Sequence, residues 1–220
     1  MFESLGTPED RRVVVTNPPD QMMEFPGHLL NYPSTEINIA FWWTLGLDQI
    51  AMQYGPNDIW DVLMIETDAR MTPADVDILR DHMRFLDTVQ AGADWLHILG
   101  DRPYHVRRDN SAWTPEGRMP GIASVIAGET GIRHDPEFRW WLADDDFEWQ
   151  HRVNGGTVLV NGVDVWHQGT QGPLTGERLQ AWEEDQSKFL AKWGGMPATG
   201  GIVAHEVIER THEVHHTESV

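Results

Sequence analysis

A short apolar run that ends abruptly in two carboxylates constrains the fold of this chain more than any other feature. Residues 59–65 are apolar apart from Asp61, and Glu66 and Asp68 follow the run. A run of this length and composition is typical of a buried β-strand. The Asp68 carboxylate is therefore expected at the carboxyl edge of a sheet, where α/β folds bind ligands.

A second acidic cluster lies in an aromatic segment later in the chain. Asp144, Asp145 and Asp146 are consecutive, and residues 140–149 around them include three tryptophans and a phenylalanine. Neighbouring carboxylates disfavour each other's ionised forms unless a cation or a substrate stabilises them. The cluster is either a functional site or the solvated start of a helix, where aspartate is favourable. The presence of two acidic clusters favours a site.

The composition indicates one domain without a membrane span. The chain has 220 residues, of which 40% are apolar, and this suffices for one substantial core. It has no apolar run of the length that a bilayer requires, and its N-terminus lacks the pattern of a signal peptide. The absence of cysteine excludes disulfides and thiolate metal sites and fits a reducing compartment, so we expect a cytoplasmic protein.

The net charge bears on the binding partners. A formal charge of −19 argues against nonspecific binding to nucleic acid, because phosphate contacts need a cationic surface. The most noticeable basic cluster lies within residues 102–108, and its simplest interpretation is an exposed loop.

Side-chain patterns predict an alternation of strands and helices. Strands are predicted at 11–16, 28–32, 59–65, 93–100, 122–127 and 158–166, the last with a tight turn at Asn161-Gly162. Helices are predicted at 35–52, 75–89, 145–155 and 176–193. Thr72 and Pro73 are expected to start the second helix, as its cap and its first helical residue. Residues 101–121 are polar and irregular, and a long loop of this kind is usually functional or mobile.

The two ends of the chain lack such patterns. Residues 1–10 are predicted to form a flexible arm and residues 198–220 a flexible acidic tail. The tail contains four histidines whose spacing fits no zinc motif, so adventitious metal binding is its alternative interpretation. These histidines are His205, His212, His215 and His216.

Taken in order, the motifs resemble those of the GT-A glycosyltransferases, in particular the inverting family 2 group. In that group an apolar strand ends in Asp-x-Asp, a later Glu-Asp-x-Asp-Leu motif opens a helix with Arg and Gly, and a His follows the next strands. The counterparts here are Glu66-Thr67-Asp68, then Ala143-Asp144-Asp145-Asp146-Phe147 with Arg152 and Gly155, then His167. Residues 134–138 and 189–194 are similar to the family's Asp-Glu-x-Phe and Lys-Trp-Gly segments, so the resemblance extends over roughly residues 12–194.

The resemblance implies both a fold and an activity. The expected fold is a single α/β GT-A (Rossmann-like) domain over residues 11–197, with a central mixed, mostly parallel sheet flanked by helices. The expected activity is transfer of a sugar from a nucleotide-sugar donor to an acceptor hydroxyl, with inversion and with Mn²⁺ or Mg²⁺ as the cofactor. The acceptor class stays open between a protein, a glycan, a small molecule and a modified nucleobase.

The resemblance also implies which residues bind the donor. Asp68 is the first choice for a metal ligand and His167 the second, while Glu66 is expected to touch the ribose or to reach the metal through water. Thr16 ends the first predicted strand and Asn17 begins the loop after it, which contacts the nucleotide base in relatives, so both are candidates for that contact.

The catalytic base is expected in the second acidic cluster. An acceptor hydroxyl must lose its proton as it attacks, and a carboxylate within hydrogen-bond reach can accept that proton. Gly155 and Arg152 align Asp144 with the family's catalytic Asp. The consecutive aspartates leave an ambiguity of one residue, so Asp145 is the reserve.

Two other functions remain open. A metal-dependent phosphoester hydrolase also uses Asp and His, but a two-metal site needs a second histidine ligand, and the acidic motifs with His167 do not supply one to complete such a site. A catalytically inactive GT-A domain that binds a carbohydrate or a partner protein is the other alternative, because a fold does not imply an activity.

Overall fold

The computed structural model describes residues 8, 11–16, 28–31, 38–66, 68–95, 97–109, 119, 121–168 and 175–195. The strands are β1 (Val13–Thr16), β2 (His28–Asn31), β3 (Asp61–Ile65), β4 (Ala69–Arg70), β5 (Gln90–Ala93), β6 (Tyr104–Arg107), β7 (Ala123–Ala127), β8 (Thr157–Val160) and β9 (Trp166–His167). The helices are α1 (Ile39–Ala51), α2 (Pro73–Phe85), α3 (Ala143–Val153) and α4 (Glu177–Trp193). Each helix in the described part of the chain is either too short or too polar to span a bilayer.

A mixed five-stranded sheet forms the centre of the fold, in the order β3-β7-β5-β8-β6. Strand β7 is antiparallel to both β3 and β5, and β6 is antiparallel to β8. The pair β5–β8 is parallel. Strands β3, β5 and β8 therefore run in one direction, and their carboxyl ends meet at one edge of the sheet.

Two small sheets accompany the central one. Strands β1 and β2 pair in parallel, and β4 and β9 form an antiparallel pair of two residues each.

The predicted α/β class with a mixed sheet and flanking helices is confirmed, but the expectation of a mostly parallel sheet is wrong. Among the described strands of the central sheet, one pair is parallel and three are antiparallel. The error has a physical reason. Helices cover both faces of this sheet, so β7 and β8 are buried along their whole lengths although they run in opposite directions. An apolar run indicates that a strand is buried on both faces, but it does not indicate the direction of the strand.

Helix α2 covers one face of the sheet, whereas α1 and α3 cover the other. The α2 side contains Leu79, Met83, Ala91, Val125, Val158 and Val160. The opposite side contains Leu47, Trp60, Val62, Met64, Ile126 and Phe147. Helix α4 packs beside α3 through Phe189, which contacts Trp149 and Phe138.

The start of α2 agrees with the sequence prediction. The Thr72 hydroxyl accepts a hydrogen bond from the Asp75 backbone N–H (3.2 Å), and the Asp75 carboxylate accepts one from the Thr72 backbone N–H (3.1 Å). Pro73 occupies the first turn, where its missing N–H costs nothing. The reciprocal pair satisfies two backbone donors that the helix itself leaves without partners.

The strand predicted at 93–100 is wrong. The strand in this region is β5, which ends at Ala93, and the chain then turns at Asp94. The buried Asp94 carboxylate accepts hydrogen bonds from the backbone N–H groups of Ile98 and Leu99, both at 2.9 Å. These bonds hold a compact turn in place of a strand, with His97 in the left-handed region at φ 52°.

Two further elements differ from the prediction. Strand β6 lies inside the segment expected to be irregular, because its residues pair with the distant β8 and not with a neighbour in sequence. The turn predicted at Asn161-Gly162 is confirmed, but it divides the segment 158–166 between two sheets. Its first half is β8 in the central sheet, and its second half leads to β9, which pairs with β4.

Two buried histidines flank Phe147 on the α1–α3 side of the sheet. The His134 ring stacks on Phe147 with 3.8 Å between ring centroids, and the His151 ring meets Phe147 edge-on at 4.3 Å. Burial lowers the pKa of His134 to about 3 and that of His151 to about 4, and the nearby His151 also lowers the pKa of His134. Both imidazoles are therefore neutral in the folded protein at neutral pH.

We predict that the folded state loses stability in mild acid through these two histidines. An unfolded histidine binds a proton near pH 6.5, whereas His134 and His151 stay neutral in the folded state down to about pH 3 and about pH 4. Below pH 6.5 the unfolded chain gains protons, and each histidine lowers the free energy of unfolding by about 1.4 kcal/mol per pH unit until its folded pKa is reached.

Urea denaturation between pH 6.5 and pH 4 measures this slope. His134→Phe keeps an aromatic ring against Phe147 but removes the titrating group, so the slope should fall by about 1.4 kcal/mol per pH unit. The exposed His97 is the control site, and His97→Asn measures the effect of removing a histidine that lies outside the core. An unchanged slope in His134→Phe would contradict the assignment.

Candidate functional site

Three side chains converge at the carboxyl end of β3. The His167 Nε2 atom lies 3.0 Å from an oxygen of Glu66 and 3.2 Å from an oxygen of Asp68. One donor atom from each of the three residues lies within 4.8 Å of the others. The His167 side chain is 4% exposed, whereas the two carboxylates are about one third exposed. The group is therefore buried on its imidazole side and open to solvent on its carboxylate side.

The pairing of β4 with β9 brings His167 to residues that are distant in sequence. Ala69 pairs with His167, and the Gln168 backbone N–H donates to the Asp68 carbonyl at 3.2 Å. The edge of Trp95 packs against the imidazole, with ring centroids 5.9 Å apart and planes at 90°. Ala69 is fully buried, so the β4–β9 pair packs against the protein interior directly beside the carboxylates.

The donor set fits a hard divalent cation. Carboxylate oxygens suit Mg²⁺ and Mn²⁺, and an imidazole favours Mn²⁺. Neighbouring ligands of an octahedral ion at about 2.1 Å lie about 3 Å apart, which is close to the two distances measured at His167 Nε2. The hydrogen bond to Glu66 raises the pKa of His167, and the charge of Asp68 adds to the effect. A cation on Nε2 must therefore displace a proton.

A cleft with a volume of about 620 Å³ extends from this cluster. Strands β1 and β3 and helix α1 line most of it, and Trp140 and Arg178 complete the lining. Glu66 and Asp68 are its acidic residues. Trp42 and Trp43 lie on its wall, and Trp43 also packs against the core beneath. The cleft therefore combines an apolar, aromatic wall with two carboxylates.

Asp144 lies in the first turn of α3, at the same edge of the sheet. Its carboxylate covers Gly121, where an added Cβ would lie 2.0 Å from Asp144 Oδ2. The next residue, Ile122, accepts a hydrogen bond from the Glu66 backbone N–H at 2.9 Å. Both acidic clusters thus contact the same short segment that enters β7. Asp144 is partly exposed and can meet a molecule from solvent.

Asp145 has a different environment from Asp144. It is 1% exposed and lies near the buried Glu148. Burial raises the pKa of Glu148 to about 7 although Arg152 forms an ion pair with it, and the Asp145 charge adds to this rise. Glu148 also accepts a hydrogen bond from the Met119 backbone N–H at 3.2 Å. This buried network makes Asp145 the less accessible of the two candidate bases.

Asp146 connects α3 to α4. It is fully buried, and its carboxylate accepts hydrogen bonds from Trp193 Nε1 (2.8 Å), Gln150 Nε2 (2.7 Å) and Lys192 Nζ. Lys192 also pairs with Asp135 at 2.7 Å. Burial raises the pKa of Asp146, and the Lys192 hydrogen bond opposes this shift. These contacts give Asp146 a structural role in the first turn of α3.

The structure brings some of the sequence candidates together and leaves others untested. Glu66, Asp68 and His167 form one cluster, and Asp144 lies beside it through Gly121 and Ile122. Thr16 is the last residue of β1, which lines the cleft, whereas Asn17 and the tail histidines lie outside the described residues.

Sequence reasoning missed two features of the site. It gave no role to Trp140 and Arg178, which line the cleft, or to the buried Glu148–Arg152 pair. An isolated glutamate four residues before an arginine is a common helical pattern, so the sequence did not distinguish this pair from a solvated one.

No protein-family model matches this chain, and no curated protein matches its sequence.

We predict that the Glu66–Asp68–His167 cluster binds Mn²⁺. Asp68→Ala and His167→Ala each remove a ligand, and each should weaken Mn²⁺ binding at least tenfold, about 1.4 kcal/mol. Calorimetric titration with MnCl₂ measures the affinity, and far-UV circular dichroism verifies the fold. Asp81 is an exposed aspartate on α2, so Asp81→Ala is the matched control. Equal affinity in the wild type, Asp68→Ala and His167→Ala would show that the cluster is not a metal site.

Proposed function

We propose that this protein is a GT-A glycosyltransferase that transfers a sugar from a nucleotide-sugar donor to an acceptor hydroxyl with inversion. One observation supports the proposal above all others. A group of two carboxylates and an imidazole lies at one sheet edge, on an aromatic cleft and beside an accessible aspartate at the start of a helix.

The cleft suits a nucleotide diphosphate. Its volume of about 620 Å³ lies within the range of about 300 to 1,000 Å³ that is usual for small-molecule sites. The apolar wall with Trp42 and Trp43 offers flat surfaces on which a base can stack. The carboxylates of Glu66 and Asp68 repel a diphosphate unless a cation lies between them, so the proposal requires a metal at the cluster.

Each residue of the cluster has a proposed role. A divalent cation held there would neutralise negative charge that develops on the leaving diphosphate. Asp68 and His167 are proposed as its ligands. Glu66 is proposed to complete the ligand set or to bind the ribose, because its carboxylate lies 3.0 Å from His167 Nε2.

Asp144 is the proposed general base. Transfer with inversion is a single displacement, in which the acceptor hydroxyl attacks the anomeric carbon and loses its proton to a carboxylate. The bond from the sugar to the diphosphate breaks as the bond to the acceptor oxygen forms. Asp144 is preferred to Asp145 because Asp144 is partly exposed and Asp145 is buried. The acceptor is proposed only as a compound with a hydroxyl group. A cytoplasmic location stays a prediction, based on the lack of cysteine in the sequence.

A thermal-shift screen tests the binding half of the proposal. Nucleoside diphosphates and nucleotide sugars are added with Mn²⁺ or with EDTA, and the unfolding temperature is measured. A ligand that binds only the folded state raises this temperature by mass action. We expect a rise with at least one nucleotide that disappears in EDTA. Stabilisation by a free carbohydrate but by no nucleotide would favour the alternative of an inactive carbohydrate-binding domain.

Asp144→Asn is predicted to separate chemistry from binding. The substitution keeps the shape of the side chain and removes the base, so transfer should fall by about 10²- to 10⁴-fold while donor affinity stays near that of the wild type. Release of nucleoside diphosphate from the donor measures turnover. Asp145→Asn is the comparison. If it abolished transfer and Asp144→Asn did not, Asp145 would be the base.

Gly121→Ala is predicted to displace the proposed base without removing it. An added methyl group would lie 2.0 Å from Asp144 Oδ2, so the carboxylate must move. A displacement of about 1 Å in a catalytic group costs about 10²-fold in rate. Donor affinity should be unchanged. The control is Gly195→Ala, where an added methyl group meets no atom within 4 Å. Full activity in Gly121→Ala would show that the position of Asp144 does not matter.

A further inference from the structure

One arginine at the cleft has an aromatic ring as its partner and pairs with none of the carboxylates that the structure describes. The guanidinium carbon of Arg178 lies 4.8 Å from the centroid of the Trp140 ring, and both side chains line the cleft that contains Glu66 and Asp68. None of the described carboxylates lies within ion-pair distance of Arg178. A guanidinium that lies over an aromatic ring makes this contact without using its N–H groups as hydrogen-bond donors, so these groups remain available to an anion.

Arg139, which precedes Trp140 in the sequence, differs from Arg178 in its partners, although both belong to a strongly acidic chain. Arg139 pairs with Glu177 at 3.2 Å and with Glu184 at 3.6 Å, both on α4. Arg178 lies on the same helix beside Glu177, and it forms no such pair with a carboxylate of the described residues. In a chain with a formal charge of −19, an arginine at the cleft without a described carboxylate partner provides a positive group where an anionic ligand would enter.

The position of Arg178 relative to Trp140 is fixed by a second residue of the same helix. Asp185 is fully buried, and its carboxylate accepts hydrogen bonds from the backbone N–H groups of Trp140 (2.8 Å) and Arg139 (3.0 Å). Asp185 is seven residues after Arg178, so both lie on one face of α4. Helix α4 therefore holds the backbone of Trp140 with one residue and places a guanidinium over its ring with another.

We infer that Arg178 binds the diphosphate of the donor in the cleft that it lines together with Glu66 and Asp68. This inference rests on the proposed function and extends it to a residue outside the family motifs. A guanidinium offers a planar pair of donors that matches two phosphate oxygens, and the contact with Trp140 orients that pair before the ligand arrives. Arg178 is thus a binding residue for the leaving group, and a cation held by Glu66, Asp68 and His167 would neutralise further charge on the same group.

Inorganic pyrophosphate is the probe, because it is the part that all nucleoside diphosphate donors share. Binding of pyrophosphate in the presence of Mg²⁺ is followed by ³¹P NMR titration of the full chain. Arg178→Gln should weaken binding tenfold or more, since charge-assisted hydrogen bonds are lost. Arg178→Lys keeps the charge but loses the paired donors, so its affinity should lie between those of the wild type and Arg178→Gln.

Two controls separate this role from a general loss of charge or fold. Arg80 is an exposed arginine on α2 that pairs with Asp77, and Arg80→Gln should bind pyrophosphate like the wild type. The unfolding temperature of Arg178→Gln without ligand should match that of the wild type within a few degrees.

The outcomes distinguish this inference from the proposed function. One outcome is that the wild type binds magnesium pyrophosphate, that Asp68→Ala loses this binding, and that Arg178→Gln stays within twofold of the wild type. In that case the inferred role of Arg178 is wrong and the proposed function stands. If the wild type binds neither pyrophosphate nor any nucleotide, both fail. Equal weakening in Arg178→Gln and Arg80→Gln would also overturn the inference, because the effect would then be one of net charge.

Discussion

The antiparallel insertion of β7 between β3 and β5 is the constraint on which the candidate site depends. Because β7 runs against its neighbours, the segment that enters it lies at the carboxyl end of β3. There Ile122 accepts a hydrogen bond from the backbone of Glu66, and Gly121 leaves space for the carboxylate of Asp144. A parallel strand at this place would bring its other end to the site, and the two acidic clusters would lose their common support.

The aspartates of α3 show how one acidic run serves different purposes. Asp146 is buried against Lys192 and Trp193, so its charge joins α3 to α4. Asp145 faces a buried ion pair, while Asp144 remains partly exposed at the site. Burying a carboxylate is unfavourable unless it is hydrogen-bonded or paired, and Asp146 meets that condition with three donors. Asp146 thereby holds α3 in place, and α3 presents the accessible Asp144.

The sequence predicted local features well because their causes are local. Thr72 and Pro73 start α2 through contacts within one helical turn, and the carboxylates after β3 follow directly from where an apolar run ends. Strand direction was not predictable, since burial on both faces produces the same apolar run in either orientation. The turn at Asp94 was missed because it depends on how one buried carboxylate satisfies two backbone donors.

The site was predictable in part for the same reason. The pattern placed Glu66, Asp68 and His167 among the candidates, but their convergence requires the pairing of Ala69 with His167 across the chain. The difference between Asp144 and Asp145 arises from tertiary burial, which three identical neighbours in sequence do not reveal. Arg178 was missed because its significance lies in its partner, Trp140, on another element.

The carboxylate–imidazole cluster and the neighbouring aspartate are proposed to act together on a nucleotide-sugar donor. A turnover assay over a panel of nucleotide sugars, with Mn²⁺ or EDTA, detects the free nucleoside diphosphate and the anomeric configuration of the product. We expect metal-dependent release from at least one donor, with an inverted product. Cleavage of phosphate esters without any turnover of nucleotide sugars by the folded, metal-loaded protein would contradict it.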